Sequence, residues 1–214
     1  MSDRYRTIVG IAESKLVVKK SRFIGLATRM EDFDPQTSQP NPTETVKSFL
    51  MFSQEKYPKA THYCYAYRFG LKEKLREYAT DAGEPTNAAG PPILAAVKAS
   101  GLSNLICVVV RYYGGINLGI GGLMRVYGQC ARDCLGYAEI ETRIFFQALR
   151  LRVSYQHIGT VVNLCERLRG NILNIEYGQD VIVHLNIPQR AVEPFQASLK
   201  GIGSTIEVLD VLTS

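Results

Sequence analysis

The sequence predicts an α+β protein in two domains, residues 1–142 and residues 143–214. Two observations carry this. An apolar run, Leu105 to Val110, leads through a glycine-rich bend into an amphipathic helix, and after Thr142 the pattern changes to strands and helices in the order βαββαβ. The latter order is that of a ferredoxin-like sandwich with helices on one face. At 214 residues, either domain is long enough to bury a core.

In chain order, Tyr5 to Val9 and Lys15 to Thr28 carry strand signals, with the basic cluster Lys19-Lys20-Ser21-Arg22 between apolar stretches. Asp34 to Pro42, rich in Pro, Ser, Gln and Asn, reads as a loop. Thr43 or Thr45 caps a helix towards Gln54, with Val46, Phe49 and Leu50 turned inward. Thr61 to Arg68 alternates, His62, Cys64 and Ala66 on one side and Tyr63, Tyr65 and Tyr67 on the other. Either the tyrosines form an outer stripe for a partner or a base, or they lie in the core with their hydroxyls reaching out. His62 is a candidate site group, or a strand histidine that is merely hydrogen-bonded.

Asp81 to Pro92 is a turn-rich acidic loop ahead of a helix, Ile93 to Ala99, that Pro91 and Pro92 can start. Asp81 and Glu84 suit acid–base or metal chemistry, and ordinary turn roles or pairing with Arg111 or Arg125 explain them as well.

The stretch from Leu105 to Gly136 organises the chain. Its apolar run has no polar alternation, so it reads as a strand covered on both faces. Arg111-Tyr112-Tyr113 and the bend Gly114 to Gly122 follow. Then Leu123, Tyr127, Cys130, Ala131, Cys134 and Ala138 recur at helical spacing opposite Arg125, Gln129 and Arg132. A glycine bend opening a helix presents unpaired N–H groups and the positive end of the dipole to an anion. Gly114, Gly115, Gly119, Gly121 and Gly122, with Arg111, Tyr112, Tyr113 and Arg125, are therefore the candidate anion- or nucleic-acid-binding residues. The bland alternative is a tight turn that needs φ > 0.

Beyond residue 143, Leu149 to Tyr155 alternates as a strand and Ile158 to Leu168 forms a helix ending at Gly170. Ile172 to Tyr177 and Val181 to Ile187 make a hairpin, Arg190 to Leu199 a second helix, and Thr205 to Val211 the closing strand. The expected open face carries Arg150, Arg152, Asn174, Glu176, His184 and Asn186, without the aromatics on which RNA-recognition sheets stack bases.

Several classes are disfavoured. Gly122 is followed by Leu123-Met124 rather than Lys-Ser/Thr, and a dinucleotide fingerprint lacks its third glycine. No nucleophile and base can be paired, so no catalytic residue is assigned and the reading leans away from an enzyme. The five cysteines contain no C-x-x-C and no complete ligand set, which implies no metal, no cofactor and buried thiols in a reducing compartment. There is no signal region and no run of roughly 20 apolar residues, so a cytoplasmic protein without membrane contact is expected. A net charge of +5 lies mainly before residue 143, where 18 basic residues face 14 acidic ones, and permits contact with nucleic acid.

Four separated motifs also resemble the YigZ/IMPACT family: Ser21-Arg22-Phe23-Ile24, Ala60-Thr61-His62-Tyr63-Cys64, Asp81-Ala82-Gly83-Glu84-Pro85, and Arg111-Tyr112-Tyr113-Gly114-Gly115 with its glycine continuation. The resemblance makes Arg22, His62, Asp81 and Glu84 neighbours of the site. It implies a first domain like domain IV of elongation factor G, with helices on one face of a mixed sheet, and a second like domain V. It also implies translation-related partners, since in the translation factor those domains meet the ribosome. The role of eukaryotic IMPACT, a regulator of the pathway in which an activator protein stimulates a kinase that phosphorylates an initiation factor, belongs to relatives with a different additional domain and does not carry over to this chain. Ala82 stands where relatives often carry an acidic residue and Ala88 where a small hydroxyl residue is common, which weighs against a catalytic carboxylate pair. The expected function is non-catalytic binding of RNA, the ribosome or a translation-related protein. The alternative is an enzyme acting on a phosphorylated small molecule or nucleotide through the glycine loop.

Overall fold

The computed structural model describes residues 3–30, 42–70, 75–200 and 206–212. Of the loop expected at Asp34 to Pro42, all but Pro42 lies outside the described residues. The described chain divides into two compact units, residues 6–142 and residues 143–212 together with residues 3–5. Strand β1 (Arg4–Ile8) forms a two-stranded sheet with β7 (Ile140–Ile144).

The first unit is built on five strands, β2 (Ile11–Val18), β3 (Ser21–Arg29), β4 (His62–Phe69), β5 (Arg76–Thr80) and β6 (Leu105–Tyr112), in spatial order β2-β3-β6-β4-β5. Helix α1 (Pro42–Lys56) sets Val46 and Phe49 against Ile24, Leu26, Ile106, Val108 and Val110. Helices α2 (Gly90–Ser100) and α3 (Ile120–Gly136) cover the other face, where Phe23, Cys64, Ala66, Cys107 and Val109 meet Ile93, Val97, Leu123, Tyr127 and Cys130. The α+β class and two-domain architecture stand. Two details of the first sheet differ from expectation: helices occupy both faces rather than one, and every strand pair is antiparallel, so the sheet is not mixed. The cause is β6 itself, apolar on both sides, which needs a cover on each. The tyrosine question resolves accordingly. Tyr63, Tyr65 and Tyr67 lie half-buried on the α1 face, the hydroxyl of Tyr63 donating to the Tyr57 carbonyl at 2.5 Å and the Tyr67 ring stacking on Tyr78 at 5.6 Å.

In the second unit β8 (Phe146–Val153), α4 (Ile158–Arg167), β9 (Asn171–Tyr177), β10 (Val181–Pro188), α5 (Val192–Lys200) and β11 (Ile206–Leu212) make an antiparallel sheet of order β11-β8-β10-β9. Leu149, Leu151, Val153, Val183 and Leu185 pack under Val161, Leu164, Phe195 and Leu199. The other face is polar: Arg150 lies opposite His184, and His184 opposite Asn174. No helix among the described residues is long and apolar enough to cross a membrane.

The turn between β2 and β3 shapes one end of the first sheet. Lys19 and Lys20 both have positive φ, +43° and +65°, as a two-residue hairpin turn of primed type requires. Gly114 packs directly on this turn. Its N–H donates to Ser21 Oγ at 3.0 Å, and a Cβ there would overlap the Lys20 carbonyl and the Ser21 nitrogen. These are backbone atoms and cannot swing aside. Gly114→Ala is therefore expected to destabilise the protein by about 2 kcal/mol or more in a urea titration, well beyond the ~1 kcal/mol typical of a point substitution.

Candidate functional site

Antiparallel pairing brings the starts of β3 and β4 beside the end of β6. Arg22 lies opposite Tyr112, and both Phe23 and His62 lie opposite Arg111. The Lys19-Lys20 turn, the segment before β4, the loop after β5 and the glycine loop after β6 therefore converge at one end of the sheet.

At the centre is a buried ion pair. The side chains of Glu84 and Arg111 are 3% and 6% exposed, with Arg111 Nη1 donating to Glu84 Oε1 at 2.5 Å. The same oxygen accepts the Tyr127 hydroxyl at 2.7 Å. Burial pushes the Tyr127 hydroxyl well above its usual range, so it stays protonated and donates. Phe23 meets Tyr127 edge-on at 5.2 Å, and the Arg111 guanidinium lies 5.4 Å from the Phe23 ring and 5.2 Å from the Tyr113 ring. Cys64 donates to the Asp81 carbonyl at 3.0 Å and lies 3.4 Å from the Tyr127 hydroxyl. Burial pushes its thiol up to about 12, which makes it a donor at neutral pH and a poor nucleophile. Breaking such a pair leaves one charge buried and unmatched.

Asp81 has a separate job. Oδ1 accepts the amides of Ala89 and Gly90 and Oδ2 that of Asn87, each at 2.8 Å, so this carboxylate closes the start of α2, where Ala89 has no capping side chain. Burial alone would raise its pKa. The three amides outweigh burial, and the carboxyl titrates below its usual range. Of the pairings envisaged from sequence, the structure makes Glu84 with Arg111. Neither carboxylate pairs with Arg125.

The remaining candidates lie around this core. Arg22 is exposed, its guanidinium 4.5 Å from the Tyr112 ring centre, and the Tyr112 hydroxyl donates to the Pro58 carbonyl at 3.0 Å. Tyr113 is exposed; its N–H donates to Thr61 Oγ1 and its hydroxyl to Asn117 Oδ1, both at 3.1 Å. Gly115 and Gly119 have φ of +80° and +69°, the left-handed region, so both need glycine. Gly121 and Gly122 are not part of the bend. The helix begins at Ile120, so both sit in its first turn, where the chain has already become helical. No side chain caps that turn, and Gly119, Ile120 and Gly121 are exposed. Arg125 projects from α3, exposed and without an ion pair among the described residues. His62 is half-buried, Nδ1 3.0 Å from the Ala82 carbonyl and Nε2 3.9 Å from Glu84 Oε1. Sequence reasoning missed Tyr127 and Cys64 as members of the polar centre. Cys64 shares a strand face with His62, which was the one available signal; Tyr127 had none, because its helical spacing marks it as core.

The Impact N-terminal domain matches residues 19–135, more than half of the chain. The chain belongs to the IMPACT family. That segment holds the whole site, and a domain of unknown function, DUF1949, matches residues 151–201 in the second unit. An IMPACT family member of Haemophilus influenzae is 32% identical and aligns over 91% of this chain and 90% of its own. The IMPACT family member YigZ of Escherichia coli is 31% identical over 85% of each chain. Protein IMPACT-B of Xenopus tropicalis shares 33% identity over 53% of this chain but 37% of its own length. A crystal structure described only as that of a hypothetical protein is 26% identical and superimposes with a TM-score of 0.70 over 99% of this chain and 98% of that one.

Two tests follow from this arrangement in the IMPACT-family fold. Arg111→Met strands Glu84 and is expected to cost about 3–5 kcal/mol in chemical denaturation, whereas Arg125→Ala changes stability by less than about 0.5 kcal/mol. Because the Asp81 pKa is lowered on folding, its contribution is complete at neutral pH and is lost as the pH falls from the ordinary aspartate range through the lower folded value. Thermal denaturation as a function of pH should show a steeper acid-side loss in the native protein than in Asp81→Asn.

Proposed function

We propose that this IMPACT-family protein is a non-catalytic binding protein that engages RNA, in the ribosome or another translation assembly, through the end of the first sheet. One observation carries the reading. Exposed Lys19, Lys20, Arg22 and Lys59 surround Tyr112 and Tyr113, and none of the four makes an ion pair among the described residues. The nearby carboxylates do not offset them: Glu84 is neutralised by Arg111, and Asp81, held on three amides, leaves one negative charge against these four positive ones. The rim is therefore net positive. Cations beside flat rings suit a strand whose phosphates alternate with stackable bases. The first turn of α3 and Arg125 are exposed as well and are themselves electropositive. A cytoplasmic setting fits five free thiols, all buried.

Replacing Lys19, Lys20 and Arg22 together by Gln should weaken binding of single-stranded RNA at least about tenfold. It should also flatten the plot of log K against log salt by about 2, at roughly 0.7 per released cation. A folded triple variant with native affinity and slope in fluorescence anisotropy would refute the proposal.

A further inference from the structure

Beneath the basic rim are hydrogen-bonding positions that the fold leaves unused. The Ala82 carbonyl can only accept, so the neutral His62 ring carries its proton on Nδ1 and presents a lone pair at Nε2. That nitrogen has no donor among the described residues, and its 3.9 Å separation from Glu84 Oε1 is too long for a hydrogen bond. Directly across the strand pair, Arg111 spends Nη1 on Glu84. Its Nε is buried without a partner, and Nη2 makes no hydrogen bond among the described residues. The His62 side chain is 19% exposed and that of Arg111 6%, so water serves these atoms poorly. The turn that orients His62 is itself unusual: Ala82 has φ +44° and Gly83 φ +88°, and a side chain at Gly83 would crowd the imidazole at 3.3 Å. A non-glycine residue in that region is held at a cost and often marks a functional turn.

An acceptor on one strand thus faces a cationic donor on the next. We infer that His62 and Arg111 form a subsite for the 2′-hydroxyl of ribose, so that the protein binds RNA in preference to DNA; this rests on the RNA reading above. The hydroxyl donates to His62 Nε2 and accepts from the guanidinium of Arg111. It is the sugar group that combines both roles and distinguishes RNA from DNA. A phosphate oxygen does not match, because it accepts only and would meet the imidazole lone pair and the Glu84 carboxylate. Phosphates belong to the lysines and Arg22 of the rim. The ribose between successive phosphates is then the group within reach of the more buried pair.

Deoxyribose leaves both protein groups unpaired, which is expected to weaken binding about tenfold or more. The test uses the full chain and short single-stranded oligonucleotides of one sequence, as RNA, DNA, 2′-fluoro RNA and 2′-O-methyl RNA, read by fluorescence anisotropy. RNA should bind at least about tenfold more tightly than the other three, which cannot donate from the 2′ position. In His62→Ala and His62→Phe the affinity for RNA should fall to that for 2′-fluoro RNA. Because His62 is partly exposed, both variants should fold, and circular dichroism verifies it. Equal binding of RNA and 2′-fluoro RNA by the native protein overturns the subsite alone, as does discrimination that survives both His62 variants. Failure to bind any of the four overturns the subsite and the RNA reading together.

Discussion

The first unit depends on one oxygen atom. Glu84 Oε1 accepts from Arg111 at the end of β6 and from Tyr127 in α3, while Glu84 itself comes from the loop that starts α2. Three segments that share no local contact in sequence are thereby held to one point. Removing a carboxylate and a guanidinium from water is expensive, and their mutual attraction repays it only when the geometry is good and neighbouring donors help. The Tyr127 hydroxyl is such a donor here, and the rings of Phe23 and Tyr113 face the guanidinium at cation–π distance. Such an arrangement specifies where the loop sits more than it adds stability.

That constraint determines what the end of the sheet shows to solvent. With Glu84 paired inside and the Asp81 carboxylate held on three amides, the acidic loop offers no carboxylate that pairs with the cations around it. The lysines of the β2–β3 turn and Arg22 are left without ion pairs among the described residues. Gly114 locks the glycine loop against that turn through backbone contact, so the cations and the loop are positioned by the same joint. The surface charge of this region thus depends in part on the buried pairing of Glu84 with Arg111.

Much of this was legible in the sequence. The apolar run of β6, the amphipathic α3 and the βαββαβ order of the second unit have strong periodicity, and their boundaries fall within a few residues of expectation. Strand β5 was not foreseen, because Arg76 to Thr80 is short, charged and at an edge, where pattern is weakest. Two-sided coverage was legible in β6 alone and was then contradicted by the one-sided sheet that the family resemblance implied. Tyr127 could not be recognised, since a tyrosine at helical spacing reads as core until the fold shows what its hydroxyl meets.

The arginines make the same point about chemistry. Arg111 and Arg125 flank the glycines symmetrically in sequence, and composition assigns them equal weight as anion contacts. Folding separates them: the alternation of β6 turns Arg111 to the side of Cys107 and Val109, into the α2–α3 core, whereas the helical period puts Arg125 on the stripe facing away from Leu123 and Tyr127. One becomes the counter-charge of a buried loop carboxylate, with Nε and Nη2 left over, and the other an exposed cation without an ion pair among the described residues. Proximity in the chain therefore says which residues can share a site, and burial decides whether each one holds it together or reaches out from it.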